Sequence, residues 1–150
     1  MKKKEKDIFD RIMEWPILRI FQPIYKKYKS VLVYLFLGGC TVIVNMILFF
    51  LFNKAFGINE LISNILAWFL ATVFAFFTNR TWCFESDDSM IVEEFIKFAS
   101  GRISTLLLDE LIVFIFITKL GLNEFWVKFF DNAFTAIVNY FISKLLVFKG

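Results

Sequence analysis

Four stretches of the chain are almost wholly apolar, at about residues 31–52, 61–78, 95–118 and 125–148. Each is near the roughly 20 residues that a helix rising about 1.5 Å per residue needs to cross a bilayer core. The joints at 54–60 and 119–124 are short and contain Gly57 and Gly121, while 80–94 is longer and acidic, with Glu85, Asp87, Asp88, Glu93 and Glu94. Ahead of them, residues 1–29 set Ile8, Phe9, Ile12 and Met13 among Lys, Arg and acids, an amphipathic pattern suited to the membrane interface. Pro16 and Pro23 are expected to break or kink that segment. The pattern predicts an all-α integral membrane protein with four transmembrane helices in residues 30–150 and a basic, cytoplasmic, interfacial amphipathic segment at 1–29. That segment serves either as a lead-in that fixes orientation or as a sensor of anionic lipid or a partner.

The third stretch breaks its own pattern with Arg102, Asp109 and Glu110. A charge at membrane depth costs roughly 2.5–3.5 kcal/mol on insertion scales, so it needs a partner, water or a ligand. Arg102, Thr105 and Asp109 share one helical face, and Glu110 sits about 100° round from Asp109. A ligand site is the favoured use of Arg102 and Asp109, with a buried structural ion pair as the alternative.

Composition narrows the class further. The chain is 59% hydrophobic and holds 22 Phe, more apolar surface than a soluble domain of this size can hide. There is no His, and Cys40 and Cys83 fall in or beside separate stretches. The commonest general base and the usual zinc ligands are therefore missing, and two packed or idle thiols are expected rather than a disulfide. An enzyme is the least expected class, and no cofactor or nucleic-acid partner is implied. The charged start followed by a mixed segment does not have the form of a secretory signal peptide. Residues 1–29 carry nine Lys/Arg against four acids. With Arg80, Lys97, Lys144 and Lys149 they place both termini in the cytoplasm, leaving Lys54, Lys119 and Lys128 outside.

Shifting residues 31–86 by 64 lays them on 95–150 without a gap and matches Thr41 with Thr105 and the run Gly57-x-Asn59-Glu60 with Gly121-x-Asn123-Glu124. Each half holds two stretches, so the four helices are predicted to be two parallel two-helix repeats. In this register Arg102, Thr105 and Asp109 take the places of Gly38, Thr41 and Asn45. On the fourth stretch Asn132, Thr135, Asn139 and Ser143 recur at steps of three and four, opposite Trp68, Ala71, Ala75 and Asn79 in the second. Arg80, Lys144 and Arg102 suit a phosphate, the Asn/Thr/Ser face suits sugar hydroxyls, and the aromatic bulk suits a lipid tail. Taken singly, Arg80 and Lys144 are interface anchors, the Asn, Thr and Ser residues are helix–helix glue, and Asp131 forms a local pair with Lys128.

A set of motifs across residues 29–149 is specific in combination. It comprises Tyr34-Leu-Phe-Leu-Gly-Gly with Thr41 and Asn45; Ala67-Trp68 leading to Phe76-Phe77-Thr78-Asn79-Arg80 and Phe84; Glu94-Phe95 leading to Arg102 and Thr105-Leu-Leu-Leu-Asp109; and Asn139-Tyr140-Phe-Ile-Ser143-Lys144 with Val147-Phe148-Lys149. The chain thereby resembles the GtrA-like (GtrA/DPMS) family, most closely its teichoic-acid glycosylation branch. That resemblance implies four spans and translocation of a polyprenyl-phosphate-linked monosaccharide across the bacterial cytoplasmic membrane. The implied substrate site draws on Arg102, Asp109, Asn45, Thr105, Asn132, Asn139, Asn79, Arg80, Ser143 and Lys144. The implied partners are the lipid-linked sugar and the polyprenyl-phosphate glycosyltransferase that makes it. The small size also raises a homodimer. A non-transporting membrane subunit of the glycosyltransferase is the main alternative. A small drug-cation exporter fits less well, because Asn45 stands where that class carries a carboxylate.

Overall fold

The computed structural model describes residues 6–86 and 90–148. The basic residues Lys2, Lys3 and Lys4, the loop acids Asp87 and Asp88, and the motif residue Lys149 lie outside the described residues. The described residues form helices joined by turns, with no strand among them, and the chain divides into two compact units, Met1–Glu85 and Ser86–Gly150.

The first unit opens with α1 (Ile8–Ile12), started by a reciprocal cap between Asp7 and Asp10. A 3-10 turn at Arg19–Phe21 leads into α2 (Gln22–Phe50), which is followed by α3 (Glu60–Thr78). Pro16 lies in the turns after α1. Pro23, expected to break the segment, instead opens α2, because the first turn of a helix asks for no amide donor at that position. The backbone leaves helical geometry at Tyr28 (φ −118°, ψ 25°), beside the expected boundary between the leading segment and the first span.

The leading segment is latched to its own unit. Lys29 Nζ lies 2.5 Å from Asp7 Oδ2 and 2.9 Å from Asp10 Oδ2, and the Tyr25 hydroxyl donates to Asp10 Oδ1 at 3.0 Å. Burial pushes the Asp10 carboxyl up, but the hydrogen bonds from Lys29 and Tyr25 and the Lys29 charge outweigh it and hold Asp10 below its ordinary value. Phe9 packs edge-on against Phe36 of α2 and Trp82 beyond α3, while Trp15, Ile17 and Ile20 stay exposed. The segment thus keeps an apolar edge exposed while its charged face is tied down.

The α2–α3 pair is built on small residues. Ala67, Ala71 and Ala75 recur every four residues on α3, all buried, as are Val33, Leu37 and Thr41 on α2. Small side chains on one face let helix backbones approach closely where lipid gives no hydrophobic drive. The thiols are free; Cys83 is buried and its S–H donates to the Ser30 carbonyl at 3.2 Å.

The second unit is α4 (Ile91–Val113) and α5 (Glu124–Ile142). They pack closely at Gly101, where an added Cβ would lie 2.8 Å from Ile142 Cγ2. The buried Glu94 carboxylate, in the first turn of α4, accepts from the Ser86 hydroxyl at 2.6 Å.

All four long helices end alike, in a wider π turn: Leu51–Ala55, Asn79–Cys83, Phe114–Lys119 and Ser143–Val147. Each is closed by a bond spanning five residues, from Phe56 to Leu51, Phe84 to Asn79, Leu120 to Ile115 and Phe148 to Ser143. Gly57 (φ 66°) and Gly121 (φ 65°) then turn the chain through the left-handed region that only glycine enters without strain. Asn59 and Asn123 cap the helices that follow.

Two helical stretches, Arg19–Ala55 and Glu60–Cys83, are long and apolar enough by themselves to cross a membrane. Helices α4 and α5 run on through their π turns to similar lengths, but Lys97, Arg102, Asp109 and Glu110 on one, and Lys128, Asp131 and Lys144 on the other, interrupt the apolar run. Large apolar side chains such as Phe36, Leu107, Phe125 and Phe130 face outward along the long helices, as a lipid solvent requires.

Candidate functional site

The charged and polar residues of the second unit gather where α4 meets α5. On α4, Thr105 is buried and Arg102 and Asp109 are half-buried, whereas Ser104, Leu106, Leu107 and Glu110 are exposed. The shared face expected of Arg102, Thr105 and Asp109 is thus the one turned inward, with Glu110 off it. Thr105 Oγ1 lies 2.9 Å from Asn139 Oδ1 on α5 and 3.0 Å from the Arg102 carbonyl oxygen, which joins the two helices through the polar stripe.

Arg102 lays its guanidinium over the Phe98 ring at 4.9 Å, and Phe98 in turn meets Phe148 at 6.0 Å. A guanidinium stacked on an aromatic face gains cation–π attraction and holds its planar donor fork in one orientation. Lys144 is exposed, with Nζ 5.8 Å from the Tyr140 ring, as befits a residue at the edge of the apolar zone.

Two pairings differ from expectation. Asp109 does not pair with Arg102 on its own helix; Lys128 of α5 reaches it, with Nζ 4.0 Å from Oδ2. Side chains on facing helices met at this level before two residues two turns apart on one helix did. The local pair expected between Lys128 and Asp131 is correspondingly absent. Asp131 is 3% exposed, with neither carboxylate oxygen hydrogen-bonded among the described residues.

The inward face of α5 is also shifted by one residue from the expected one. Asn132 is exposed, while Asp131 is buried and begins the series Asp131, Thr135, Asn139 and Ser143 at uniform steps of four. At 100° per residue, uniform steps of four drift about 120° over this series, whereas the expected alternation of three and four stays within about 80°. Spacing alone therefore favoured Asn132, and packing against α4 turned Asp131 inward.

The remaining expected residues belong to the first unit. Asn45 is half-buried on α2. Asn79 is 1% exposed at the end of α3; its amide donates to the Ala75 carbonyl at 2.8 Å, and its Oδ1 has no partner among the described residues. Arg80 follows it, half-buried, in the π turn. The buried α3 series Ala67, Ala71, Ala75 and Asn79 stands 64 residues before Asp131, Thr135, Asn139 and Ser143. One helix pair thus carries a close-packed alanine face where the other carries a polar one.

Comparison with known proteins places this arrangement. Residues 33–148 match the family described as GtrA/DPMS, transmembrane domain. The chain is similar to the cell wall teichoic acid glycosylation protein GtcA of Listeria innocua, 35% identical over 123 residues that make up 80% of this chain and 85% of the relative. It is 34% identical to the protein of the same name in Listeria monocytogenes, over 82% of this chain and 87% of that one. It is 32% identical to the uncharacterized membrane protein YwcD of Bacillus subtilis, over 77% of this chain and 94% of that one.

Proposed function

The chain belongs to the GtrA/DPMS transmembrane-domain family, and we propose that it works in cell-surface glycosylation by translocating a polyprenyl-phosphate-linked monosaccharide across the cytoplasmic membrane. The sugar is bound for teichoic acid, as the relatives' names suggest, or for another surface polysaccharide. A polyprenyl-phosphate glycosyltransferase supplies the substrate, and two copies of the chain would enlarge the enclosure. All four long helices span the membrane, with both termini inside. The π-turn ends and the glycine-and-asparagine joints, each recurring 64 residues on, support two parallel repeats of one two-helix unit.

The observation that carries this reading is the stacked, half-buried guanidinium of Arg102, on the same inward face of α4 as Thr105, which meets Asn139 of α5. The ligand has one phosphodiester anion, one sugar and one long apolar tail. Arg102 offers a fork for the phosphate, Asn139 and Ser143 offer groups for hydroxyls, and the tail stays in lipid. Lys144 receives the headgroup at the inner edge of this helix pair.

The test is membrane abundance together with headgroup flipping in vesicles for Asp109→Asn, Arg102→Lys and Glu110→Gln. Because Asp109 pairs with a Lys128 side chain that is 44% exposed, losing the pair costs only ~0–1 kcal/mol and Asp109→Asn accumulates normally. Flipping falls at Asp109→Asn and Arg102→Lys and is unchanged at Glu110→Gln. Losses that simply track abundance, or equal losses at Asp109 and Glu110, would instead make α4 a scaffold for an associated glycosyltransferase.

A further inference from the structure

Asp131 is a buried charged side chain of α5 that the headgroup reading above does not use, and it is held in an unusual way. It is 3% exposed, and both of its carboxylate oxygens, together with the buried Thr135 hydroxyl, have no hydrogen-bond partner among the described residues. The groups facing it are Asp109 from α4, Lys128 one turn earlier on its own helix, and Thr135 one turn later. With both carboxylates ionised, two against one ammonium would leave a net charge of −1 inside a helix pair that faces lipid. A buried charge of that kind needs a counter-ion, because isolated charge is strongly disfavoured away from water.

Asp131 also lies on a largely apolar cavity of about 520 Å³, which Phe116, Trp126 and Phe130 line and which reaches Leu122 and Asn123 at the joint between α4 and α5.

From this geometry we infer that Asp131, Thr135 and Asp109 form a binding site for one monovalent cation, H⁺ or Na⁺, whose gradient drives the headgroup across. The donors are hard oxygens, and Lys128 sets the occupancy at one by neutralising one of the two carboxylates. The coupling rests on the translocation reading and gives it an energy source. A phosphodiester headgroup carries one negative charge, so one cation per headgroup balances it, and discharge of the site by the passing ion ties the two movements together.

Two measurements on the purified full chain test the site and the coupling separately. In the first, tryptophan emission is followed while Na⁺ replaces choline at fixed pH, and while pH is varied without Na⁺; Trp126 on the cavity wall reports occupancy. The expected result is a saturable change with one of the two ions that Asp131→Asn abolishes and Glu110→Gln leaves intact. Thr135→Val weakens it if the ion is Na⁺ and spares it if the ion is H⁺. No saturable change in the wild type, or the same change in well-folded Asp131→Asn, overturns the site.

In the second measurement, vesicles holding polyprenyl-phosphate glucose receive a tenfold gradient of H⁺ or of Na⁺ with the membrane potential clamped. At one ion per headgroup, the ratio of headgroups between leaflets shifts up to about tenfold with the gradient of the bound ion alone, and Asp131→Asn equilibrates the leaflets at a ratio near one. Flipping that ignores both gradients overturns the coupling and leaves translocation standing. No headgroup movement under any gradient overturns translocation, and the emission titration then decides the cation site by itself.

Discussion

Replacing Gly101 by alanine tests whether the close approach of α4 and α5 builds the polar site. The added Cβ would lie 2.8 Å from Ile142 Cγ2, about 0.7–1.2 Å inside the favourable carbon–carbon separation of roughly 3.5–4.0 Å. That methyl sits on a β-branched carbon whose rotamer is nearly fixed within a helix, so the side chain cannot swing aside and the helices must part. Overpacking of this kind costs about 1–3 kcal/mol, and alanine's better helix propensity returns about 1 kcal/mol. The net loss of stability is therefore small, roughly 0–2 kcal/mol. The effect on the site is larger in proportion. Thr105, one turn further along α4, meets Asn139 at 2.9 Å, and parting the helices by about 1 Å takes that contact beyond hydrogen-bonding range. Thermal unfolding of the purified protein should thus shift by a few degrees at most, while headgroup flipping at equal abundance falls several-fold. Ile142→Ala removes the opposing methyl, and the double variant should regain most of the flipping that Gly101→Ala loses. Wild-type flipping in Gly101→Ala, or a double variant as impaired as the single one with Ile142→Ala itself active, would refute the reasoning.

The latch on the leading segment gives a pH dependence with a definite sign. Asp10 is held below its ordinary value in the folded chain, so the latch contributes fully above the unfolded carboxylate value of about 4 and is lost as pH falls through the folded one. Hydrogen exchange over residues 7–14, corrected for its intrinsic pH dependence, should stay protected at neutral and mildly acidic pH and rise only in stronger acid. Lys29→Ala should show the acid pattern already at neutral pH; protection unchanged in that variant would remove the ion cluster as its cause. Orientation is checked with tags on both termini, because Cys83 is too buried to report it. Both tags should be reached only from the cytoplasmic side, and a tag labelled from outside intact cells would overturn the charge-bias assignment.

Much of the architecture was written in short-range patterns. Helix lengths, the glycine joints and the asparagine caps follow from rules that act within a few residues. The stretches at 31–52 and 125–148 and the joints at Gly57 and Gly121 were therefore legible from spacing. The break at Tyr28 and the start of α2 at Gln22, with Pro23 in its first turn, depended on how the leading segment docks on Lys29 and Tyr25, contacts between residues 15 to 22 apart that no local pattern carries. The same division runs through the site. The sequence determined that Arg102, Thr105 and Asp109 share a face, because a helix fixes the angle between its own residues. It did not determine which side chain of the facing helix each would meet. The approach of α4 to α5 at Gly101 set that register, gave Lys128 to Asp109 and Asn139 to Thr105, and turned Asp131 inward in place of Asn132. Rotation of one helix against another is decided by packing of all their side chains at once, and only the tertiary structure holds that sum.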